Sequence, residues 1–295
     1  MVSRTTTPDR RFAITGIKVT RRALFYALLC ALGVLFILPF LWMLSTSLKL
    51  DPQVYHVPPS WIPNPIIWRN YSNALTYLPF DKYFFNTMTY CVGVTLGTVI
   101  SAALVAYGFS RVRWRGRDAI FWIVLATMML PFQVQMIPLY ITFKNLHWLN
   151  TYLPLVVPAF FGSSAFSIFL LRQFFRTIPM ELSDAARIDG ANEMTIFLRI
   201  IIPLAKPSLA VVALFQFMDG WNDFLGPLIY LNDSNRYPLA LGLQQLQTAF
   251  NQGTIPQQWP QLMAASTVVM VPVLVIYFFT QRVFVQGIVV SGMKS

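Results

Sequence analysis

The chain has 295 residues, of which 56% are hydrophobic and only 11% are charged. An ordinary soluble domain has roughly 25% charged residues, so the composition excludes a soluble globular protein. The net charge of +11 at pH 7 is compatible with binding to nucleic acid or to an anionic membrane surface, and the distribution of Lys and Arg along the chain has to distinguish the two.

Six apolar runs are long enough to cross the hydrocarbon core of a membrane, which takes about 20 helical residues. They lie at residues 23–45, 87–109, 119–143, 153–171, 208–230 and 262–280. The first run follows a basic segment, but it is long and lacks a small-residue cleavage site, so it predicts an anchor rather than a cleaved signal peptide. The sequence therefore predicts an all-α polytopic membrane protein with six transmembrane helices.

The basic residues are unevenly divided between the two sides of this predicted membrane domain. Segments 1–22, 110–118, 172–206 and 281–295 hold 6, 4, 5 and 2 of the 22 Lys and Arg residues, and the opposite segments hold the other five. Because cytoplasmic loops carry such an excess, both termini are predicted to be cytoplasmic. The stretch "RVRWRGR" at 111–117 then faces anionic headgroups of the membrane lipid, and nucleic acid is not a predicted partner.

This topology divides the chain into three parts. They are a basic cytoplasmic segment at 1–22, a six-helix transmembrane domain at 23–281 with a cytoplasmic loop at about 176–206, and a cytoplasmic tail at 282–295. A disordered tail is the alternative for the last part.

Few residues are available for catalysis, metal binding or ATP binding. Cys30 and Cys91 both fall in apolar runs and predict no disulfide framework. His56 and His147 fall in loops on the outer side, so no histidine-based site is predicted. The dipeptide Gly-Lys does not occur, which excludes a GxxxxGK phosphate loop. The chain is predicted to be no enzyme and to hold no cofactor or metal of its own.

The second and third apolar runs carry features of helix packing. Gly93 and Gly97 form a GxxxG pair, which we expect to permit close packing within the bundle rather than homodimerisation. Gln133 and Gln135 lie near the middle of the third run, between two prolines. They either face a substrate pathway or form hydrogen bonds to neighbouring helices.

The polar loop between the fourth and fifth runs predicts a short helix. Pro179 lies where a first turn would begin, Glu181 and Asp184 complement the N-terminal dipole, and Gly190 is a natural stop. Residues at three- and four-residue spacing form one face, namely Leu182, Ala185, Ala186 and Asp189. Two small side chains on this face favour docking into a groove of another protein, and a solvated connector helix is the alternative.

The fifth run contains polar and aromatic residues at the depth of the membrane. They are Gln216, Asp219, Trp221, Asn222 and Asp223. Intramembrane carboxylates normally face an aqueous cavity or a partner, so these residues are candidates for a pathway across the membrane, with Trp221 offering an apolar ring face to whatever passes. The alternative is structural, with Asp219 and Asp223 bonded to backbone or neighbouring helices around Gly220 and Gly226.

The loop also resembles the EAA signature of ABC importer permeases. That signature is Glu-Ala-Ala, three residues, Gly, nine residues and then Ile-x-Leu-Pro, and the chain has Asp184-Ala185-Ala186, Gly190 and Ile200-Ile201-Ile202-Pro203 at the same spacing. It departs by Asp for Glu and by Ile202 for Leu. The stretches "IPMELSDAARIDGA", "DGWNDFLGPLIYL" and "QRVFVQGIVVSGMKS" are similar to the carbohydrate uptake branch, and to its smaller, six-helix maltose-type permease.

The resemblance implies a subunit of a binding-protein-dependent importer in the plasma (inner) membrane of a bacterium or archaeon. Expected partners are a second homologous permease, two ATPase subunits that bind ATP and Mg, and an external solute-binding protein, with a carbohydrate as substrate. The residues that would contact the ATPase are Glu181, Asp184, Ala185, Ala186, Asp189, Gly190 and Pro203. A permease for glycerol phosphate or a polyol is the alternative, and the EAA-like spacing argues against a secondary transporter.

Overall fold

The structure is a computed structural model that describes residues 10–253 and 258–292, with side chains described at 22–253 and 258–281. All regular structure in these residues is helical, which confirms the all-α class expected from the sequence. Residues 1–9 of the predicted N-terminal segment and 293–295 of the predicted tail lie outside the described residues.

Four helical stretches are long and apolar enough to cross a membrane, and two bent pairs of helices qualify if each pair is one span. The four stretches are Arg22–Ser47, Phe80–Ser110, Leu153–Thr177 and Trp259–Gln281. The bent pairs are Arg117–Thr127 with Phe132–Asn145, at 94°, and Glu193–Leu204 with Lys206–Asn222, at 79°. Up to six spans are therefore present when each pair is counted as one span, and prolines lie at or beside both bends, Pro131 in the third and Pro203 and Pro207 in the fifth.

In chain order, the helices are α1 (Arg10–Ser47), α2 (Asp51–Val54), α3 (Arg69–Tyr77), α4 (Phe80–Ser110), α5 (Arg117–Thr127), α6 (Phe132–Asn145), α7 (Leu153–Val156), α8 (Ala165–Thr177), α9 (Met180–Ile188), α10 (Glu193–Ile196), α11 (Ile202–Leu204), α12 (Lys206–Asn222), α13 (Leu225–Tyr230), α14 (Leu239–Asn251) and α15 (Trp259–Gly292). Single turns of 3-10 helix occupy Val157–Phe161 and Ser234–Arg236, and a π-helical turn occupies Phe197–Ile201.

Three boundaries differ from those expected from hydropathy. Helix α1 already begins at Arg10, inside the segment expected to precede the membrane. Helix α15 continues without a break into the predicted tail. The fifth predicted span, 208–230, is divided between α12 and α13.

Contacts divide the chain into two compact units, residues 1–71 with 258–267 and residues 72–257 with 268–295. In the first unit, the Asn70 amide donates hydrogen bonds to the carbonyls of Ser47, at 2.9 Å, and Lys49, at 2.8 Å. The Asp51 carboxylate accepts a hydrogen bond from the backbone N–H of Trp259 at 3.1 Å. These bonds fix the chain where it leaves α1.

Helix α4 is central to the second unit and packs against α8, α12 and α14. A Cβ added at Gly93 would lie 2.9 Å from Val156 Cγ1, and one added at Gly97 would lie 2.7 Å from Phe160 Cδ2. Real Cβ contacts are not this short, so only glycine permits α4 to approach the 153–161 segment this closely. The GxxxG pair therefore serves packing within the bundle, as the sequence analysis expects.

Candidate functional site

Helix α9 belongs to the second unit and has a defined start and stop. Pro179 precedes its first turn, Glu181 lies in that turn and Arg187 lies in the last turn, an order of charges that complements the helix dipole. At its end, Gly190 has a φ of +84°, its N–H donates to Arg187 O at 3.0 Å, and the N–H of Ala191 donates to Ala186 O at 2.9 Å. These two bonds are those of a Schellman motif, which requires the left-handed conformation that glycine adopts freely.

The exposed side of α9 differs in part from the face expected from spacing. Leu182, Ala185 and Asp189 are exposed, but Ala186 is half-buried against the apolar core. Ala185 and Ala186 therefore do not share one exposed face, because neighbouring residues on a helix point about 100° apart. Ile188, at 87% exposure, lies three residues beyond Ala185 and adds an apolar side chain to this face. It was not predicted, although its helical spacing places it there.

A first anchor fixes the start of α9 to the end of α4. The Arg111 side chain, which is buried, donates hydrogen bonds to the carbonyls of Ile178, at 2.5 Å, and Pro179, at 3.3 Å. Its Nη1 also lies 2.9 Å from Met180 Sδ. Burial lowers the pKa of Arg111 from its usual value, but a guanidinium remains protonated at neutral pH.

A second anchor fixes the end of α9 to α4 through side chains. The Tyr107 hydroxyl donates to Glu193 Oε2 at 2.5 Å, and Arg187 Nε donates to Glu193 Oε1 at 2.9 Å. Arg187 Nη1 donates in turn to Asp184 Oδ1 at 2.7 Å, and the hydrogen bond that Arg187 donates to Glu193 contributes most to a raised pKa of Arg187. Asp184, expected to contact another protein, thus has a partner within its own chain.

The segment after α9 is packed onto the bundle before it turns into the membrane-spanning part of the fifth span. Asn192 caps α10 by accepting a hydrogen bond from the Thr195 N–H at 2.8 Å. Ile196, Ile201 and Ala205 are fully buried in the core. Pro203 is exposed in α11, just before the 79° bend.

The break between α12 and α13 is held by Asp223. Its Oδ2 accepts a hydrogen bond from the Tyr90 hydroxyl of α4 at 2.6 Å, and its Oδ1 accepts one from the Gly226 N–H at 3.1 Å. A Cβ added at Gly226 would lie 2.6 Å from Asp223 Oδ2. Both carboxylate oxygens are therefore engaged, and the geometry supports the structural alternative for this residue.

The other candidates on α12 have different surroundings. Asp219 is exposed and makes no hydrogen bond or ion pair with the described residues, and Gln216 is half-buried. Asn222 is exposed, and its Nδ2 donates to Met218 O at 2.7 Å. Asp219 and Asn222 therefore retain free polar atoms on the surface of the chain.

Trp221 does not offer a ring face, contrary to the expectation from sequence. It is 4% exposed, its ring stacks on Phe217 at 5.8 Å between centroids, and Phe84 meets it edge-on at 6.3 Å. The large apolar ring is placed in the core because burial of such surface is favourable.

In the third span, the two glutamines also differ. Gln135 Nε2 donates to the Leu130 carbonyl at 3.2 Å, which satisfies a backbone group freed by the 94° bend. Gln133 is exposed and makes no side-chain hydrogen bond among the described residues. The two glutamines therefore differ: Gln135 forms a structural hydrogen bond, whereas the amide of Gln133 is free among the described residues.

Residues 93–290 match the family described as "Binding-protein-dependent transport system inner membrane component". The chain is 34% identical over 275 residues to the sn-glycerol-3-phosphate transport system permease protein UgpE of Yersinia enterocolitica, covering 91% of this chain and 96% of that protein. It is 31% identical over 267 residues to the arabinooligosaccharides transport system permease protein AraQ of Bacillus subtilis, covering 90% and 92%.

A solved structure also resembles the chain. It belongs to a bacterial ABC transporter involved in the import of the acidic polysaccharide alginate, and the comparison has a TM-score of 0.74 at 27% identity, covering 94% of this chain and 99% of that one.

Proposed function

The chain belongs to the family of binding-protein-dependent transport system inner membrane components, and from this premise we propose that it imports a carbohydrate and receives the energy of ATP through helix α9. It is a permease subunit of an ABC importer in the inner membrane, and such subunits are not themselves enzymes. ATP and Mg would be bound by two partner ATPase subunits, a second homologous permease would complete the pathway, and an external solute-binding protein would deliver the solute.

The observation that carries the proposal is the combination of an exposed face and two anchors on α9. The exposed face presents Leu182, Ala185 and Ile188 beside the acids Glu181 and Asp189. The anchors through Arg111 and Glu193 join both ends of the helix to α4. Because of them, a displacement imposed on α9 by an ATPase would move α4 as a rigid body instead of being absorbed in the loop.

The test of this contact is a bulky substitution on the exposed face. Ala185→Trp should reduce ATPase co-purification and solute uptake by about tenfold or more, since the ring fills the space in which a partner would lie. Gln173→Trp, which adds the same ring at an exposed position of α8, is the matched control and should leave both unchanged. Normal ATPase recovery with Ala185→Trp would remove α9 from the interface.

For the substrate, we propose a neutral sugar in preference to glycerol phosphate. Asp219 and Asn222 leave a carboxylate and an amide exposed on α12, and these groups bind hydroxyls, whereas a carboxylate repels a phosphate. The relatives point in both directions, since UgpE is named for glycerol 3-phosphate and AraQ for arabino-oligosaccharides. The alginate transporter is named for an acidic polysaccharide, so an anionic carbohydrate belongs in the same test.

The cognate solute-binding protein distinguishes these substrates. Its thermal stabilisation should be measured over a panel of mono- and oligosaccharides, polyols, glycerol 3-phosphate and an acidic oligosaccharide. Stabilisation by a neutral sugar, followed by uptake of that sugar by the complete transporter, supports the proposal. Stabilisation by glycerol 3-phosphate or the acidic oligosaccharide alone would replace the neutral sugar and leave the permease assignment intact.

Both termini are proposed to be cytoplasmic, on the distribution of basic residues. Single cysteines in place of Arg113 and Arg69, in a chain whose own cysteines are changed to serine, should report opposite sides of the membrane. Only the cysteine at 69 should react with an impermeant maleimide in intact cells. The reverse labelling would invert the topology.

A further inference from the structure

The loop between α4 and α5 lies at the surface of the membrane, because a spanning segment ends at Ser110 and another begins at Arg117. A cleft of about 390 Å³ opens there, within the range of about 300–1,000 Å³ typical of small-molecule sites. It is lined by Arg113, Trp114, Gly116, Arg117, Asp118 and Ala119. The contact between α9 and an ATPase does not account for this cleft.

The arginines around the cleft differ in whether they have partners. Arg117 Nε lies 3.3 Å from Asp118 Oδ1, and Arg172 Nη2 lies 3.0 Å from the same oxygen, so the one carboxylate of the cleft is shared by two guanidinium groups. Arg113 and Arg115 are exposed and make no hydrogen bond or ion pair with the described part of the chain. The cleft therefore carries positive charge that no described residue neutralises.

Trp114 fixes the depth of the loop. Its indole N–H donates to the Gly108 carbonyl at 3.1 Å, and its ring centroid lies 5.7 Å from that of Phe109, while 40% of the residue remains exposed. Tryptophan with one covered and one open side is typical of the membrane–water interface. The open cleft therefore lies at the level of lipid headgroups.

We propose that this cleft binds the phosphate group of an anionic phospholipid, with Arg113 as its direct ligand and Arg115 contributing attraction at longer range. A guanidinium binds phosphate oxygens in a bidentate manner, with geometry that an ammonium does not match. A soluble phosphate has the same recognition chemistry, but a basic cluster directly beside a membrane-spanning helix is the arrangement that recognises acidic lipid.

The test is native mass spectrometry of the full-length chain in its transporter complex, titrated with phosphatidylglycerol or phosphatidylcholine. Phosphatidylglycerol should be retained in preference to phosphatidylcholine. Arg113→Gln/Arg115→Gln should weaken phosphatidylglycerol binding by about fivefold for each arginine at low ionic strength. Arg113→Lys/Arg115→Lys keeps the charge and should lose less, and Arg69→Gln, at an exposed arginine of α3, should match the wild type.

Three results would overturn the proposal. They are equal retention of the two lipids, unchanged phosphatidylglycerol binding in the double Gln variant, and displacement of the lipid by inorganic phosphate at similar concentration, which would identify a site for a soluble anion. Because Arg113 and Arg115 have no partner among the described residues, the double variant should keep its thermal stability. A loss of binding then reports on the site and not on folding.

Discussion

The dipeptide Asp-Gly occurs at 189–190 and again at 219–220, and the structure uses it in opposite ways. At Gly190 the chain adopts a φ of +84° and α9 ends. At Gly220 the helix continues to Asn222, and a Cβ would lie only 3.3 Å from Cys91 Sγ of α4. The same two residues end a helix where solvent surrounds them and permit close helix packing where a neighbouring helix lies against them. Tertiary surroundings therefore decide which property of glycine is used.

The carboxylates of the two regions also differ according to their surroundings, one set being exposed and the other part-buried. Beside Gly190, Asp184 and Glu193 form hydrogen bonds and ion pairs on an exposed surface. Beyond Gly220, Asp223 is part-buried and both of its oxygens hold the broken helix. We therefore expect acids near α9 to affect coupling more than stability, and Asp223 to affect stability first.

The largest expected effect is that of Asp223→Ala. It leaves the buried Tyr90 hydroxyl and the Gly226 N–H without their acceptor, which together cost about 2–4 kcal/mol of stability. The detergent-solubilised protein should lose thermal stability and yield before transport per molecule is affected. Asp223→Asn keeps an acceptor and should lose less stability. A stable but inactive Asp223→Ala protein would contradict the structural role and indicate that Asp223 lines the substrate pathway.

The second-largest effect is expected for Gly190→Val. The left-handed backbone at this position costs a side chain about 1–2 kcal/mol, and because a Cβ there meets nothing within 4 Å, the cost is confined to the end of α9. The bundle should remain folded while ATP-driven uptake falls several-fold. Gly190→Asn, which tolerates this conformation, should keep most uptake, and equal uptake by the two variants would contradict the role of the Schellman motif.

Glu193→Gln tests the second anchor of α9. Its ion pair with Arg187 is partly exposed, so its removal should cost less than about 1 kcal/mol of stability. ATP hydrolysis by the assembled transporter should become less dependent on substrate, because the amide has one acceptor oxygen where the carboxylate has two, so the hydrogen bonds from Tyr107 and Arg187 cannot both be kept in their present geometry. Arg199→Gln, at an exposed residue of the same loop, is the control, and identical coupling ratios in the two variants would show that the anchor is dispensable.

The smallest effect on stability is expected for Asp219→Asn. Asp219 has no hydrogen bond or ion pair with described residues, so the change should stay within about 0.5 kcal/mol. If its carboxylate lines the pathway, uptake should fall at unchanged thermal stability, a combination opposite to that of Asp223→Ala. Unchanged uptake would leave Asn222 and Gln133 as the free polar groups to examine.

Hydropathy and helix signals in the sequence predicted the structural features that depend on residues close together along the chain. The six spans, the limits of α9 and the packing role of Gly93 and Gly97 follow from patterns within a few tens of residues. The 94° bend in the third span was not predicted, because proline marks a place where a helix can break and not the angle that neighbouring helices impose.

What the sequence did not predict involves pairs that lie far apart along the chain. Arg111 lies 67 residues from Ile178, whose carbonyl it binds, and Tyr107 lies 86 residues from Glu193. Neither arginine nor tyrosine at the end of an apolar run signals such a partner. Trp221 was misassigned for the same reason, since its burial depends partly on Phe84, which belongs to another helix.

The distance between Tyr90 and Asp223 also has a consequence for the synthesis of the protein. The two residues are separated by 133 positions, and a ribosome adding about 5–20 residues per second takes roughly 7–27 s to cover that interval. For most of this time α4 is complete, whereas Asp223, which accepts the hydrogen bond of the Tyr90 hydroxyl, has not yet been made. Each newly made chain therefore passes through a stage in which its central helix is complete but lacks this contact, and the arrival of Asp223 late in translation ends that stage.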